Sequence, residues 1–179
     1  VAKLPVEQLV KYSAELGPCL RDADPSIRRL ACQAVAKLPR EQLASHSAAL
    51  GYNLADSCDF VREAACKALM ELSGGQLAEH SAALGNCLED ADWFVRRAAC
   101  QAVAKLPVEH LSAHSGRLGQ CLADKDWATC DAACRAVARL PAEQQTAHVA
   151  RLEQCLRDGH GFLGSILSSW QRIQTPPLS

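Results

Sequence analysis

The sequence predicts an all-α solenoid, a stack of helical hairpins in which each unit covers the face of the next, and three observations carry that expectation. A 34-residue period runs through most of the 179 residues. Within each period the apolar residues fall at three- and four-residue spacings, the mark of amphipathic helices. Ala, Leu and Cys supply most of an apolar share of 49%, while aromatic residues make up 4%. A core of that kind draws helices together through small side chains, and strands, which favour aromatic and β-branched residues, are disfavoured.

The period is read from Val1-Ala-Lys-Leu-Pro5, which returns as Val35 to Pro39, Leu69 to Ser73, Val103 to Pro107 and Val137 to Pro141. A fixed repeat of this size marks stacked supersecondary units, none of which buries its apolar face alone. Positions within the unit are numbered 1 to 34, with units starting at residues 1, 35, 69, 103 and 137. Helix A opens at Pro5, Pro39, Pro107 and Pro141, since proline suits the first helical turn, and a Glu two residues later favours the positive helix end. Its stripe reads Leu9, Ser13, Leu16, Leu20 and then Leu43, Ser47, Leu50, Leu54. An Asp-x-Asp follows at Asp22 and Asp24, Asp90 and Asp92, and Asp124 and Asp126, with Asp56 and Cys58 in the second unit. The second residue of that pair is placed to cap helix B. Helix B carries Ile27, Leu30, Ala31, Ala34, Val35 and Leu38, and its pattern returns in residues 61–72 and 95–106.

The motif Leu-x-Asp-x-Asp-x-x-Val-Arg-x-x-Ala resembles the HEAT repeat. It stands at Leu88, Asp90, Asp92, Val95, Arg96 and Ala99, and at Leu20, Asp22, Asp24, Ile27, Arg28 and Ala31. The resemblance implies a right-handed superhelix of about five HEAT-like hairpins over residues 1–158, with a divergent capping helix and Pro-rich tail over residues 159–179. It also implies a hydrogen-bond ladder of Asp22 with Arg28, Asp56 with Arg62, and Asp90 with Arg96. Cys130 and Gly164 stand where later arginines would continue it, so the ladder is expected to stop after three rungs. The chain begins inside what looks like a helix B, which predicts that the natural protein extends further upstream. At the other end Leu163, Ile166, Leu167, Trp170 and Ile173 share a helical spacing with little charge, an apolar stripe expected both to cap the stack and to dock on a neighbouring subunit.

A net charge of −1 gives no global field to recruit nucleic acid or an anionic membrane. No apolar run reaches the length of a membrane helix. Ten cysteines recur mostly at positions 19 and 32, which reads as buried thiols in a reducing intracellular compartment, cytoplasm or organelle stroma. Pairs 13 apart, such as Cys87 with Cys100, lie on facing helices but out of level for a disulfide. His46, His80, His114 and His148 share position 12; copies one unit apart lie roughly 10 Å from one another, too far for one metal site, and edge-of-core packing is expected. No catalytic constellation or cofactor motif emerges, and Cys130 and Cys134, one helical turn apart, make with His114 only a weak metal candidate.

Two features suit partner binding. Phe60, Trp93, Phe94, Trp127 and Phe162 occupy positions 25 and 26, so stacking lines them along one edge, either as a binding ridge or as staples between units. Helix B concentrates cations, among them Arg29, Arg97, Lys105 and Arg139, a face suited to an acidic protein segment or simply to solvent. With Trp170 on the terminal helix, these residues form the expected interface of a non-enzymatic interaction scaffold or accessory subunit in a larger protein assembly. An assembly factor similar to the HEAT-like chromophore lyases, and an RNA-binding solenoid, are the two alternative expectations. The sequence argues against nucleic acid as the main partner and leaves the oligomeric state open.

Overall fold

The computed structural model of the protein describes residues 5–157. Residues 159–179, with the expected cap, Phe162 and Trp170, lie outside the described residues. The described chain is helical throughout, fourteen helices joined by short turns. Each unit contributes three helices. The first gives α1 (Val6–Lys11), α2 (Ser13–Cys19) and α3 (Pro25–Val35); the second α4 (Arg40–Ser45), α5 (Ser47–Asn53) and α6 (Asp59–Leu69). The third gives α7 (Gly74–Ala78), α8 (Ser81–Cys87) and α9 (Trp93–Val103), and the fourth α10 (Val108–Ser112), α11 (Ser115–Cys121) and α12 (Trp127–Val137). α13 (Ala142–Thr146) and α14 (Val149–Arg157) begin the fifth.

The helix B expected from the sequence is therefore one helix, and helix A is two. The break falls at position 12, where Tyr12, His46, His80 and His114 share φ near −100° and ψ near 0°, the sparsely populated bridge between helical and extended backbone. Apolar spacing does not register it, because Leu9 and Leu16, on either side, both remain buried.

Helices B stand side by side, α3 against α6, α6 against α9 and α9 against α12, while α2, α5, α8 and α11 each pack on the helix B of their own unit. Close approach in the B layer rests on small side chains: Ala64, Ala65, Cys66, Ala68, Ala98, Ala99, Cys100 and Ala102 are all buried. Val61 and Val95 are wholly buried at position 27, whereas Ile27 is 38% exposed, because α6 and α9 have a described helix B on their N-terminal side and α3 has none. A repeat's apolar face needs a neighbour to bury it.

The turn before helix B is tied locally. The first Asp of each pair accepts a backbone N–H two residues on: Asp22 Oδ1 from Asp24 at 2.9 Å, Asp56 from Cys58 at 2.9 Å, Asp90 from Asp92 at 3.0 Å and Asp124 from Asp126 at 2.9 Å. The second caps helix B at Asp24 and Asp126, which accept from Ser26 and Thr129. At Asp92 the expected cap bond is not made, and the carboxylate lies 3.6 Å from Arg62 Nη2 instead. Each proline stands just before helix A with ψ near 148°, and in the third unit Ser73 replaces it with a reciprocal capping box to Gln76.

Candidate functional site

The described chemistry-bearing residues divide between the joints that hold units together and one partly exposed face. The first joint contact is the Asp–Arg ladder. Arg28 Nη1 donates to the Asp22 backbone carbonyl at 2.8 Å, the contact six residues apart that the sequence suggested, but its Nε and Nη2 reach the carboxylate of Asp56 in the next unit at 2.6 and 2.8 Å. Arg62 repeats this with Asp56 O and the Asp90 carboxylate, and Arg96 with Asp90 O and Asp124. The carboxylate partner thus lies 28 residues on, not six back, and the rungs tie units instead of closing turns. Burial raises the pKa of Asp56, Asp90 and Asp124, but the guanidinium bonds and backbone N–H groups outweigh it and hold all three below the ordinary carboxylate value. In the fourth unit Cys130 Sγ donates to Asp124 O at 3.1 Å, keeping the contact within the unit without the arm that reaches onward.

A second joint contact was not visible in the sequence. The imidazole at position 12 inserts against the glycine at position 17 of the preceding unit, so that a Cβ on Gly51, Gly85 or Gly119 would fall 2.6, 2.5 or 2.7 Å from His80, His114 or His148. Nε2 of His46, His114 and His148 pairs with the hydroxyl of Ser13, Ser81 and Ser115 of that unit at 3.3, 2.8 and 2.9 Å. At His80 the same nitrogen has no hydrogen-bond partner among the described residues. The readable signal was the recurrence of Ser at 13 and Gly at 17 beside His at 12.

Burial lowers the pKa of all four imidazoles, with Arg117 and His110 adding to the effect at His114 and Arg151 at His148, while Glu79 opposes it at His80. The folded protein holds them neutral, and the unfolded chain takes up protons near the ordinary histidine value of about 6.5. Their contribution is complete above that value and is lost as pH falls through the lower folded values. Melting temperature should therefore fall between about pH 6.5 and pH 5, with a further loss below about pH 4 as the ladder aspartates protonate. His114→Gln should flatten the upper stage; a melting temperature constant from pH 7 to pH 5 in the unaltered protein would refute buried neutral imidazoles.

The thiols form the third joint contact. Position 19 satisfies the carbonyl left open at the end of the preceding helix A: Cys87 Sγ donates to Leu54 O at 3.5 Å, Cys121 to Leu88 O at 3.3 Å and Cys155 to Leu122 O at 3.0 Å. Asn53 plays this part toward Leu20 O at 3.1 Å. The facing thiol at position 32 also belongs to the preceding unit, so contacts run between residues 21 apart, not the 13 apart considered from sequence. Asn53 Nδ2 donates to Cys32 Sγ at 3.4 Å, and at the later joints the same two positions set Cys66 against Cys87, Cys100 against Cys121 and Cys134 against Cys155. None of the ten cysteines is joined in a disulfide.

The exposed face is the outer side of the B layer. Phe60 and Phe94 stack with centroids 5.3 Å apart, Trp93 meets Phe94 edge-on at 5.7 Å, and the Arg97 guanidinium lies 4.9 Å from the Trp93 ring. Phe60 and Trp93 remain 52% and 44% exposed, so the cluster joins two units and still presents ring surface to solvent. Trp127 is 64% exposed and makes no ring pair among the described residues. Beside the cluster, Pro25, Ser26, Arg29, Cys58 and Phe60 line a hollow of about 250 Å³. The cationic face is thinner than the sequence suggested. Arg28, Arg62 and Arg96 are taken up by the ladder, Lys67 and Arg135 pair with Glu63 and Asp131 at i,i+4, and Lys105 lies 4.0 Å from Glu71. Arg139 is exposed.

Residues 13–104 match the HEAT-repeat family. The chain belongs to that family. No curated protein sequence matches it. Among solved structures, a designed armadillo repeat protein in complex with the peptide (KR)4 superposes with a TM-score of 0.76 at 19% identity, over 97% of this chain and 87% of that one. An engineered protein gives 0.74 at 17% identity over 86% and 78%, and a computationally designed armadillo repeat protein for modular peptide recognition gives 0.68 at 21% over 86% and 80%. At these identities the likeness concerns the fold, a HEAT and armadillo solenoid of the kind typical of interaction scaffolds. Among the described residues of this HEAT-repeat chain no helix is long and apolar enough to cross a membrane, and no group of three or more His, Cys, Asp and Glu is disposed to hold a metal ion.

Proposed function

We propose that this HEAT-repeat chain is a non-enzymatic scaffold or accessory subunit of a larger protein assembly, and that it takes a segment of a partner protein on the outer face of its B layer. The observation carrying this reading is the cluster of Phe60, Trp93, Phe94 and Arg97, ring surface left open in a chain with few aromatics. Aromatic and arginine side chains dominate binding energy at protein interfaces. Its His, Cys, Asp and Arg side chains work largely at the joints between units, which supports a structural use over a catalytic one. Arg29, Lys37, Lys67, Arg97, Lys105, Arg135 and Arg139 on the B side stand against Asp59, Glu63, Glu71 and Asp131, seven bases against four acids. That balance favours an acidic segment and disfavours a basic one. The recurrence of buried thiols at positions 19 and 32 supports a reducing compartment.

Capture of partners on the full chain, followed by mass spectrometry, supplies the binding assay. Changing Trp93 and Trp127 together to Ala should then weaken association by about 2 kcal/mol, roughly thirtyfold, with helicity unchanged and melting lowered by no more than a few degrees. Intact binding with a large loss of thermal stability would make the rings staples between units, and a partner preference for basic segments would overturn the charge reading.

A further inference from the structure

The paired thiols at successive joints share one geometry. Cys66 and Cys87, Cys100 and Cys121, and Cys134 and Cys155 each set position 32 of one unit against position 19 of the next, all six buried. In each pair the two thiols hold the positions at which Asn53 and Cys32 touch in the first joint, and the second donates to a leucine carbonyl. The first joint differs, because Asn53 stands where the second thiol would be and bonds to Cys32.

We propose that these three pairs are reversible disulfide sites at which a hydroperoxide staples neighbouring units together, the last joint reacting first. The position-19 sulfur attacks the distal oxygen of the hydroperoxide, the O–O bond breaks, the thiol proton passes to the departing alkoxide, and the sulfur becomes a sulfenic acid. The position-32 sulfur then attacks that sulfur, the S–O bond breaks, and the thiol proton leaves with the hydroxide as water. Two thiols are oxidised by two electrons and one hydroperoxide is reduced to an alcohol and water.

The direction of attack follows from the contacts. At the last joint Cys155, and not Cys134, lines the hollow from which a hydroperoxide enters, and at the inner joints the neighbouring thiol lowers the pKa of Cys87 and Cys121 against the opposing effect of burial while Cys66 and Cys100 are pushed up. The position-19 sulfur is therefore the better thiolate. A disulfide suits these sites better than a bound soft cation, because it is neutral and the joint is apolar, whereas two thiolates around one monovalent ion leave a buried charge.

Access sets the order. A hollow of about 260 Å³, lined by Leu122, Ala123, Asp124, Cys130, Arg151, Gln154 and Cys155, opens beside the last pair. It occurs where Cys130 replaces the ladder arginine, and Arg151 at its wall favours the developing anion.

The test uses the full chain at pH 7.5 with hydrogen peroxide, quenching at intervals, blocking remaining thiols and mapping linked peptides by mass spectrometry. Cys134–Cys155 should appear first, then Cys100–Cys121 and Cys66–Cys87, with Cys32 still alkylatable. The oxidised protein should melt at least about 5 °C higher, and dithiothreitol should reverse the gain. Cys155→Asn, which copies the residue found at position 53, should fold, lose the first linkage and keep the other two. Links between residues 13 apart, a dominant Cys130–Cys155 link, links only between molecules, or full retention of thiols until the protein unfolds would each overturn the proposal. Rapid appearance of the two inner linkages before Cys134–Cys155 would overturn its order.

Discussion

Replacing Arg62 with Ala should cost the protein about 3 kcal/mol of stability, read as a lower midpoint in urea at pH 7 with helicity unchanged below the transition. Arg62 donates to the Asp90 carboxylate through Nε and Nη2 and to the Asp56 carbonyl through Nη1, and the two charged side chains are only 16% and 9% exposed. Removing the guanidinium leaves a mostly buried carboxylate answered by the Asp92 backbone N–H alone, and it opens a turn carbonyl as well. Losing one partner of a buried charge pair costs far more than the pair contributes in balance, because the survivor stays desolvated. Lys67→Ala is the comparison. Its i,i+4 partner Glu63 lies 2.6 Å away, but the lysine is 48% exposed, so the change should stay within about 0.5 kcal/mol. Arg62→Lys should fall between the two, since a lysine keeps the charge without the bidentate fork. Because stacked repeats can unfold in parts, the midpoints should be followed by both tryptophan fluorescence and circular dichroism. A cost at Arg62 below about 1 kcal/mol would reduce the ladder to an ordinary surface pairing.

The period, the helical character and the burial of Ala, Leu and Cys were legible because a solenoid buries each unit against a copy of itself, and copies leave the same residues at the same spacing. What periodicity hides is which copy is touched. In a 34-residue repeat a contact between residues six apart within a unit and one between residues 28 apart across a joint involve the same two positions. The sequence pointed to Asp56 with Arg62, while the carboxylate of Asp56 is held by Arg28. The thiols show the same ambiguity: 13 and 21 also sum to the period, and the contacts follow the longer separation. The break in helix A was hidden for another reason. It occupies one residue in the first two units and two in the others, and it keeps Leu9 and Leu16 on the core side, so the apolar spacing reads through it. The aromatic edge was legible as a line of positions, but not as Phe60, Trp93 and Phe94 in one cluster with Trp127 apart from it, because ring contacts depend on side-chain direction as well as on register.

Gly85→Ala and Gly116→Ala should move stability in opposite directions, although both substitutions place a better helix former in the second half of a helix A. Within a helix, alanine gains up to about 1 kcal/mol over glycine. At Gly116 a Cβ would meet nothing within 4 Å, so the gain should appear as a higher melting temperature. At Gly85 the same Cβ would fall 2.5 Å from Cε1 and 2.7 Å from Nδ1 of His114, and 3.2 Å from the Arg117 guanidinium. The imidazole has little room to retreat, because it is buried and its Nε2 is bound to Ser81 at 2.8 Å. Relief requires breaking that bond or separating the third and fourth units, which also strains the Arg96–Asp124 rung at the same joint. Overpacking of this kind costs about 1 to 3 kcal/mol, enough to reverse the helical gain. Adding His114→Ala to Gly85→Ala should recover part of the loss, since the methyl group then occupies space the ring has left. Equal shifts at residues 116 and 85 would mean that the histidine does not fill the joint, and the pH dependence expected of the imidazoles would fail with it.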